Sequence, residues 1–138
     1  RETGFRNVLS ESPSAYCQSL SLVQESPWEA FRQRLRSSEA PTAVFCYNDS
    51  IARQAVKVIL NAGLSIPGDI SLVGFGNVPS NDCPIPLTTF DQHPRDIGTA
   101  AARMYLDRTR GETKNGIRRE LVTPDLVVRN STRSIRNQ

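Results

Sequence analysis

The sequence predicts an α/β fold, in which an open, mainly parallel sheet is flanked by helices on both faces. Stretches with apolar residues at helical spacing alternate with strand-like stretches along most of the 138 residues. The runs at 42–46 and 70–73 are rich in β-forming residues and do not alternate regularly between polar and apolar. Alternating elements are typical of βαβ crossovers, and runs of this kind are typical of parallel strands. The length suits one domain with its own core.

The first part of the chain predicts two helices and two strands. Residues 1–11 have apolar side chains at helical spacing, and residues 16–23 have the pattern of a short strand. Ser26 followed by Pro27 predicts the start of a second helix, because a proline at the first helical position loses no hydrogen bond. The run at 42–46 then predicts a strand that is covered on both faces.

The middle of the chain predicts a helix, a strand and a loop. The helix from Ile51 to Ala62 has an apolar stripe, and Gly63 suits the left-handed position just after its end. Residues 70–73 predict a second buried strand. Residues 78–86 contain three prolines and show no periodicity, so they predict a loop.

The last part predicts an extended segment, a long helix and two short strands. Residues 87–90 are extended, and the helix at 94–110 begins with a proline and stops at a glycine. The strands at 120–123 and 125–128 surround Pro124, which has no backbone N–H to donate and therefore restricts this pair to an edge or a break.

Composition excludes several classes of protein. Cys17, Cys46 and Cys83 form no CxxC pair, and His93 is the single histidine, so we expect no metal site and no cofactor. Scattered, unpaired cysteines suit reduced thiols in the cytoplasm, and Cys46 is expected to act as a small buried hydrophobe. No apolar run approaches the roughly 20 residues that a membrane helix needs. No catalytic constellation is present, so we expect that the chain is not an enzyme.

The two ends of the chain carry weaker signals. The first residue is Arg1 rather than methionine, so we expect a fragment of a longer protein. Arg129, Arg133 and Arg136 follow the last predicted strand, and a solvated, frayed terminus is a simpler explanation of these charges than a nucleic-acid-binding tail.

Polar residues follow both central strands of the predicted sheet. Asn48 and Asp49 come after the first, and Gly76 and Asn77 come after the second. In open α/β sheets, ligands bind beyond the carboxyl ends of the strands. One residue of the first pair is expected to cap the next helix. If Asp49 is the cap, Asn48 can point its amide over the sheet edge as both donor and acceptor.

Four stretches together resemble the LacI/GalR family of bacterial transcription regulators. They are RETGFRNVL at 1–9, PTAVFCYND through SIPGDISLVGFGN at 41–77, PLTTFDQHPRDIGTAAARMYLDRTRGE at 86–112 and LVTPDLVVRNST at 121–132. The resemblance implies a sensor region of the periplasmic binding protein-like type, in which crossing strands join two α/β subdomains around a ligand cleft. It implies that residues 1–138 form only the second part of that region, without the family's N-terminal helix-turn-helix.

The resemblance also implies a function. A small, sugar-like effector would bind in the cleft of a homodimer and modulate the binding of operator DNA through the helix-turn-helix. A periplasmic sugar- or solute-binding protein of the same fold is the alternative, and an enzyme on a flavodoxin-like sheet is a third, less favoured reading. The segment 87–112 would be a crossing strand and a helix that packs with the first subdomain. Without that subdomain, the apolar stripe of the helix is expected to fold back or to be buried against another copy.

The resemblance implies a set of ligand-binding residues, which are Arg1, Trp28, Asn48, Asn77 and Gln92, with Asp49 as the helix cap at the cleft. Trp28 is equally well explained as a core anchor. Many family members have an aspartate that binds sugar hydroxyls where this chain has Gly76. Either Asn77 replaces that carboxylate, or the effector is not a typical neutral sugar.

Overall fold

Four helices and four short strands make up the part of the chain that the computed structural model describes, residues 2–12, 17–21, 26–111 and 116–134. The helices are α1 (Glu2–Leu9), α2 (Pro27–Leu35), α3 (Asp49–Asn61) and α4 (Pro94–Thr109). The strands are β1 (Ala43–Phe45), β2 (Ser71–Val73), β3 (Thr89–Asp91) and β4 (Asp125–Val127).

The strands form two hydrogen-bonded pairs, β1 with β2 and β3 with β4, and a bridge joins the two pairs. β1 and β2 pair in parallel, with Val44 opposite Leu72. β2 is joined to the start of β3 by a parallel bridge between Val73 and Thr88, and β3 pairs with β4 in antiparallel fashion. The pairing between β2 and the start of β3 continues just beyond β2, because the N–H of Gly74 donates to the carbonyl of Thr88 over 2.9 Å. The predicted α/β class with a mainly parallel sheet is confirmed.

The main hydrophobic core lies between α3 and one face of the sheet. α3 places four fully or almost fully buried side chains on that face, at the spacing of one helical stripe: Ala52, Ala55, Val56 and Ile59. Leu72 of β2 is 0% exposed beneath them, and α2 packs against α3 from the side. Each large aliphatic side chain removed from water in this way contributes about 1.5–3 kcal/mol to stability.

Cys46 belongs to the same core, as the sequence predicts. Its side chain is buried, and burial raises the pKa of the thiol to about 12. The nearby carboxylate of Asp49 acts in the same direction. The thiol therefore stays protonated and behaves as a small apolar group.

The opposite face of the sheet carries a cluster of aromatic rings beneath α1. Phe45 alternates with Val44 along β1 and so points away from α3. Phe5 of α1 stacks on Phe45 with ring centroids 5.4 Å apart. Phe75, two residues after β2, and Phe90 of β3 extend the cluster, with their ring centroids 5.6 Å apart. Helices thus lie on both faces, although Phe45, Phe75 and Phe90 are only half-buried.

The segment after β4 is firmly attached to the centre of the sheet. Ser131 is 0% exposed. Its hydroxyl donates to the carbonyl of Leu72 over 2.6 Å and accepts the N–H of Thr88 over 2.8 Å. Its carbonyl accepts the N–H of Leu72 over 2.7 Å. The expectation of a frayed terminus from Arg129 onward is therefore wrong for residues 129–131, because these residues complete the hydrogen bonding of two buried strands.

Three other expectations differ from the structure. Residues 17–21, the described part of the strand expected at 16–23, are not in a strand, and neither are residues 120–123. Extended propensity alone does not make a strand, because a strand also needs a backbone partner in register. β1 is less covered than expected, since Ala43 is exposed.

α4 projects from the rest of the described chain. It has no buried residue, and Ile97 and Tyr105 on its predicted apolar stripe are 45% and 69% exposed. The stripe does not fold back onto the sheet, so that half of the expectation is wrong. Within the described residues, no helix is both long enough and apolar enough to span a membrane.

Replacing Ser131 with alanine tests how the segment after β4 is attached to the sheet. We expect Ser131→Ala to lower the free energy of unfolding by about 1–3 kcal/mol, because it leaves the buried N–H of Thr88 without its partner. Urea unfolding followed by circular dichroism measures the change. Ser37→Ala is the matched control, since Ser37 is exposed and its hydroxyl donates to the carbonyl of Arg34 and accepts the N–H of Glu39, both at the protein surface. Equal stabilities for the two variants would contradict the assigned role of Ser131.

Candidate functional site

The carboxyl ends of β1 and β2 meet at one edge of the sheet. The N–H of Asp49 donates to the carbonyl of Phe75 over 3.1 Å, and the N–H of Val78 donates to Oδ2 of Asp49 over 2.8 Å. The segments that carry Asn48 and Asn77 therefore lie side by side. Both amide side chains are half-buried rather than sealed inside the protein, so this polar edge is accessible to a ligand.

Asn48, and not Asp49, caps α3. Asn48 has an extended backbone, and its Oδ1 accepts the N–H of Ile51 over 2.9 Å. The expectation that Asp49 is the cap is wrong, because Asp49 is already the first helical residue and its side chain cannot reach back to the same N–H groups. The cap uses the amide oxygen of Asn48, and its amide nitrogen remains a potential donor toward a ligand.

The carboxylate of Asp49 ties three segments together. The side chain is 3% exposed. Oδ1 accepts the hydroxyl of Thr89 over 2.7 Å, and Oδ2 accepts the N–H of Val78. These bonds link the end of β1 to the end of β2 and to β3. Sequence reasoning placed Asp49 correctly at the edge but missed this bridging role.

Gly74 makes room for that carboxylate. A Cβ at position 74 would lie only 2.2 Å from Oδ1 of Asp49. Ordinary non-bonded contacts are more than an ångström longer. Any side chain at this position would therefore displace Asp49 from Thr89.

The side chain of Asn77 is held at both of its polar ends. Its Nδ2 donates to Oδ2 of Asp91 over 2.9 Å, and its Oδ1 accepts from the guanidinium of Arg129 over 2.6 Å. Arg129 also donates to the carbonyl of Leu87 over 2.8 Å. Asn77 has a positive φ of 50°, a conformation that asparagine tolerates better than most residues. Asn77 thus connects the end of β2 to β3 and to the segment after β4.

Asp91 continues this network. Its Oδ1 accepts the backbone N–H of His93 over 2.8 Å, and the imidazole of His93 contacts Oδ2 of Asp125 over 3.0 Å. The hydrogen bond from Asn77, followed by that from His93, lowers the pKa of Asp91 below its ordinary value. Sequence reasoning missed both Asp91 and Arg129. Asp91 directly precedes Gln92 on the crossing strand, which is a signal that could have identified it.

The remaining predicted site residues have separate positions. Gln92 is half-buried, and its Nε2 lies 3.8 Å from where a Cβ of Gly76 would be, so it belongs to the same edge. Trp28 packs against the hydrophobic core and against Phe31, with ring centroids 6.3 Å apart, as a core anchor does. Arg1 lies outside the described residues. Among those residues, no group of three His, Cys, Asp or Glu side chains could hold a metal ion.

The fold is that of an α/β domain with a polar edge at the carboxyl ends of β1 and β2. Residues 1–132 match the family described as periplasmic binding protein-like domain. The chain belongs to this family.

Curated and solved relatives support this assignment. The repressor CytR of Escherichia coli K12 is 36% identical over 112 residues, which are 80% of this chain and 33% of CytR. The arabinose metabolism transcriptional repressor of Geobacillus stearothermophilus is 37% identical over 133 residues, 91% of this chain and 36% of that repressor. A structure of the regulator CelR in complex with cellobiose superposes with a TM-score of 0.77 at 27% identity, covering 94% of this chain and 41% of CelR. The chain thus spans about a third of the length of these curated relatives.

The role of Gly74 is tested by adding a single methyl group. We expect Gly74→Ala to lower the free energy of unfolding by about 3 kcal/mol or more, because the Asp49 carboxylate must give up a buried hydrogen bond. Urea unfolding measures the change. Gly98→Ala is the control, since no atom lies within 4 Å of a Cβ at that position of α4, and alanine there gains up to about 1 kcal/mol of helix propensity. Similar losses in both variants would contradict the close contact.

The bond between Asn77 and Asp91 predicts a pH effect. Because the folded pKa of Asp91 is lowered from 3.8, its carboxylate contributes stability that is present above that value and is lost as the pH falls through the lowered pKa. Asn77→Ala is expected to raise the pKa of Asp91 toward 3.8 and to weaken this acid-side dependence. Carboxyl-carbon NMR titration measures the pKa. Asn61→Ala, at the exposed end of α3, should leave it unchanged, and an unchanged value in Asn77→Ala would disprove the bond.

Proposed function

We propose that this chain is part of the effector-binding sensor of a LacI-type transcription regulator, and that a small, sugar-like molecule binds at the polar edge of its sheet. The observation that carries the proposal is the set of polar side chains brought together at the carboxyl ends of β1, β2 and β3, within a chain whose curated relatives are transcriptional repressors. Cellobiose is the bound molecule in the CelR complex, which makes a sugar the first choice of effector.

The edge offers hydrogen-bonding groups suited to hydroxyls. In this proposal Asn48 contributes its amide nitrogen, and Gln92 contributes a second amide from the crossing strand. Asn77 and Asp91 act mainly by holding the edge in shape, because their described polar atoms already bond to one another and to Arg129 and His93. Arg1 completes the set, as the family resemblance implies.

Ligand binding at this edge can be transmitted because the edge is bonded to the crossing segments. Thr89 of β3 is bonded to Asp49, and Arg129 after β4 is bonded to Asn77. The protein can adopt conformations that differ in the angle between these segments. An effector that binds one of these conformations more tightly than another shifts the equilibrium toward the first. In a full-length regulator, that shift would alter the spacing of the DNA-binding domains and therefore the affinity for operator DNA.

The exposed apolar face of α4 suits the same proposal. A patch that contains Ile97, Tyr105 and Leu106, which are 45%, 69% and 45% exposed, is rarely left uncovered in a soluble protein. We propose that the segment 87–112 packs with the first subdomain of the sensor and that the assembled regulator is a cytoplasmic homodimer.

The function is tested in the full-length protein that contains this chain. Isothermal titration with cellobiose, L-arabinose and D-glucose measures effector binding. Sequencing of captured genomic DNA fragments, with and without the sugar that binds, measures regulation. We expect one sugar to bind and to change the recovery of particular fragments by about 5- to 150-fold, the usual range of allosteric coupling. Sugar binding without any DNA binding would instead support the solute-binding alternative.

Asn48→Ser separates the ligand role of Asn48 from its role as a cap. Serine retains a good helix cap, so thermal stability should change little. The lost amide donor should raise the dissociation constant of the sugar about three- to tenfold. Asn61→Ser should bind the sugar like the wild type. Unchanged affinity in Asn48→Ser would remove Asn48 from the binding site.

A further inference from the structure

α4 leaves the sheet at a short junction formed by Gln92 and His93, which lie between β3 and α4. His93 has a φ of 51°, in the left-handed region, which histidine adopts more often than most residues with a side chain. It occupies the N-cap position of α4, but its side chain does not cap the helix. Its imidazole Nε2 instead contacts Oδ2 of Asp125 on β4 over 3.0 Å. The side chain therefore ties the junction to the neighbouring strand.

This tie is important because α4 packs little against the sheet. Within the described residues, the helix buries no side chain. Asp107, near its far end, pairs with Arg118 over 2.7 Å, but Arg118 lies in the exposed segment 116–120 rather than in the sheet. The direction in which α4 leaves the sheet thus depends on the junction.

We propose that the contact between His93 and Asp125 is a pH-sensitive latch, which holds the start of α4 against β4 and relays the state of the polar edge to α4. This inference rests on the proposed sensor function and adds a regulatory device to it. Nδ2 of Asn77 donates to Oδ2 of Asp91, whose Oδ1 accepts the N–H of His93. A displacement of Asn77 at the end of β2 therefore reaches His93 through a single carboxylate.

The pH sensitivity comes from the carboxylates that border His93. Asp91 and Asp125 lie directly opposite each other in the β3–β4 pair, where like charges destabilise a sheet. His93 is bonded to both of them, through its backbone N–H and its imidazole. A protonated imidazole is attracted by both carboxylates and reduces their mutual repulsion. Histidine ordinarily changes its charge between about pH 5 and 8, so the latch is stronger at the acidic end of that range.

The other charged groups near the junction limit the size of this effect but do not reverse it. Arg95 and Asp96 in the first turn of α4 are both exposed and carry opposite charges. Arg129 is bonded to the amide oxygen of Asn77. Because the side chain of Asp125 is 77% exposed, the latch has the strength of a surface ion pair, which changes an equilibrium about two- to fivefold.

The test removes each partner of the latch in the full-length protein that contains this chain. The variants are His93→Asn, Asp125→Asn and the double variant. Asparagine tolerates the left-handed backbone at position 93, and at position 125 it keeps the shape of the side chain without its charge. Asp82→Asn is the matched control, since it removes an equal charge from an exposed position of the loop 78–86. Circular dichroism shows whether each variant is folded.

The first measurement concerns the latch itself and requires no ligand. The N–H groups of Asp96 and Ile97 donate to the carbonyl of His93 over 3.0 and 3.1 Å, so their protection from hydrogen exchange reports how firmly the start of α4 is held. Millisecond hydrogen exchange is followed by mass spectrometry, and each rate is divided by the intrinsic rate at the same pH.

We expect the wild type and Asp82→Asn to show protection that is about two- to fivefold higher at about pH 5.5 than at about pH 8. His93→Asn, Asp125→Asn and the double variant should lose this pH dependence. Wild-type pH dependence in Asp125→Asn would show that the contact is not a latch.

The second measurement concerns the relay to α4. Cellobiose, L-arabinose and D-glucose are the sugars tested, and the affinity for a captured DNA fragment is measured at about pH 5.5 with and without the sugar that binds. The ratio of these two affinities should fall about two- to fivefold in His93→Asn and in Asp125→Asn. It should fall no further in the double variant, because both substitutions remove the same contact. The dissociation constant of the sugar without DNA should change less than about twofold.

The two measurements separate failure of this inference from failure of the proposed function. An unchanged ratio of DNA affinities in folded His93→Asn and Asp125→Asn would overturn the relay, although sugar sensing would stand. If the wild type binds neither sugar nor DNA, the proposed function is wrong and the relay fails with it. Hydrogen exchange at the start of α4 would still decide whether His93 and Asp125 form a latch.

Discussion

The arrangement of the polar edge depends on one buried carboxylate. Asp49 is 3% exposed and holds the hydroxyl of Thr89 and the N–H of Val78, residues that lie 40 and 29 positions further along the chain. A buried carboxylate is costly unless hydrogen bonds compensate for the lost water. Here those bonds also set the positions of three strand ends. Gly74 allows the arrangement because it has no side chain to collide with Oδ1.

A second set of hydrogen bonds connects the polar edge to β3 and to the segment after β4. Asn77 links Asp91 of β3 with Arg129, which follows β4. Ser131 then joins the same segment to the buried centre of the sheet. The polar edge, β3 and the segment after β4 are therefore one hydrogen-bonded unit. The proposed sensor function requires such coupling, because an effector can shift a conformational balance only through groups that differ between its states.

Local patterns in the sequence were sufficient for the four helices, the four strands and the location of the edge, but they also predicted strands at 17–21 and 120–123 that the structure does not have. Helical spacing predicted the apolar stripe of α3 only in part: Ala55 and Ile59 were expected on it, whereas Ala52 and Val56 are also buried there. The polar residues after β1 and β2 indicate the carboxyl edge. The cap was assigned to the wrong member of the pair Asn48 and Asp49. Asparagine and aspartate are both favoured at the N-cap position. Which of the two residues takes that position depends on where the helix begins, and the packing of the whole helix decides this.

The sequence by itself determined the α/β class, the helices that bury one stripe, and the adjacency of Asn48 and Asp49 to the strand ends, because these follow from local spacing and residue type. Only the tertiary structure decided the partners of Asp49, Asn77 and Arg129. Arg129 reaches Asn77 across 52 residues, and Asp49 accepts the hydroxyl of Thr89, which lies 40 residues further along the chain. Contacts between distant segments depend on the folded positions of both, and no local pattern encodes them.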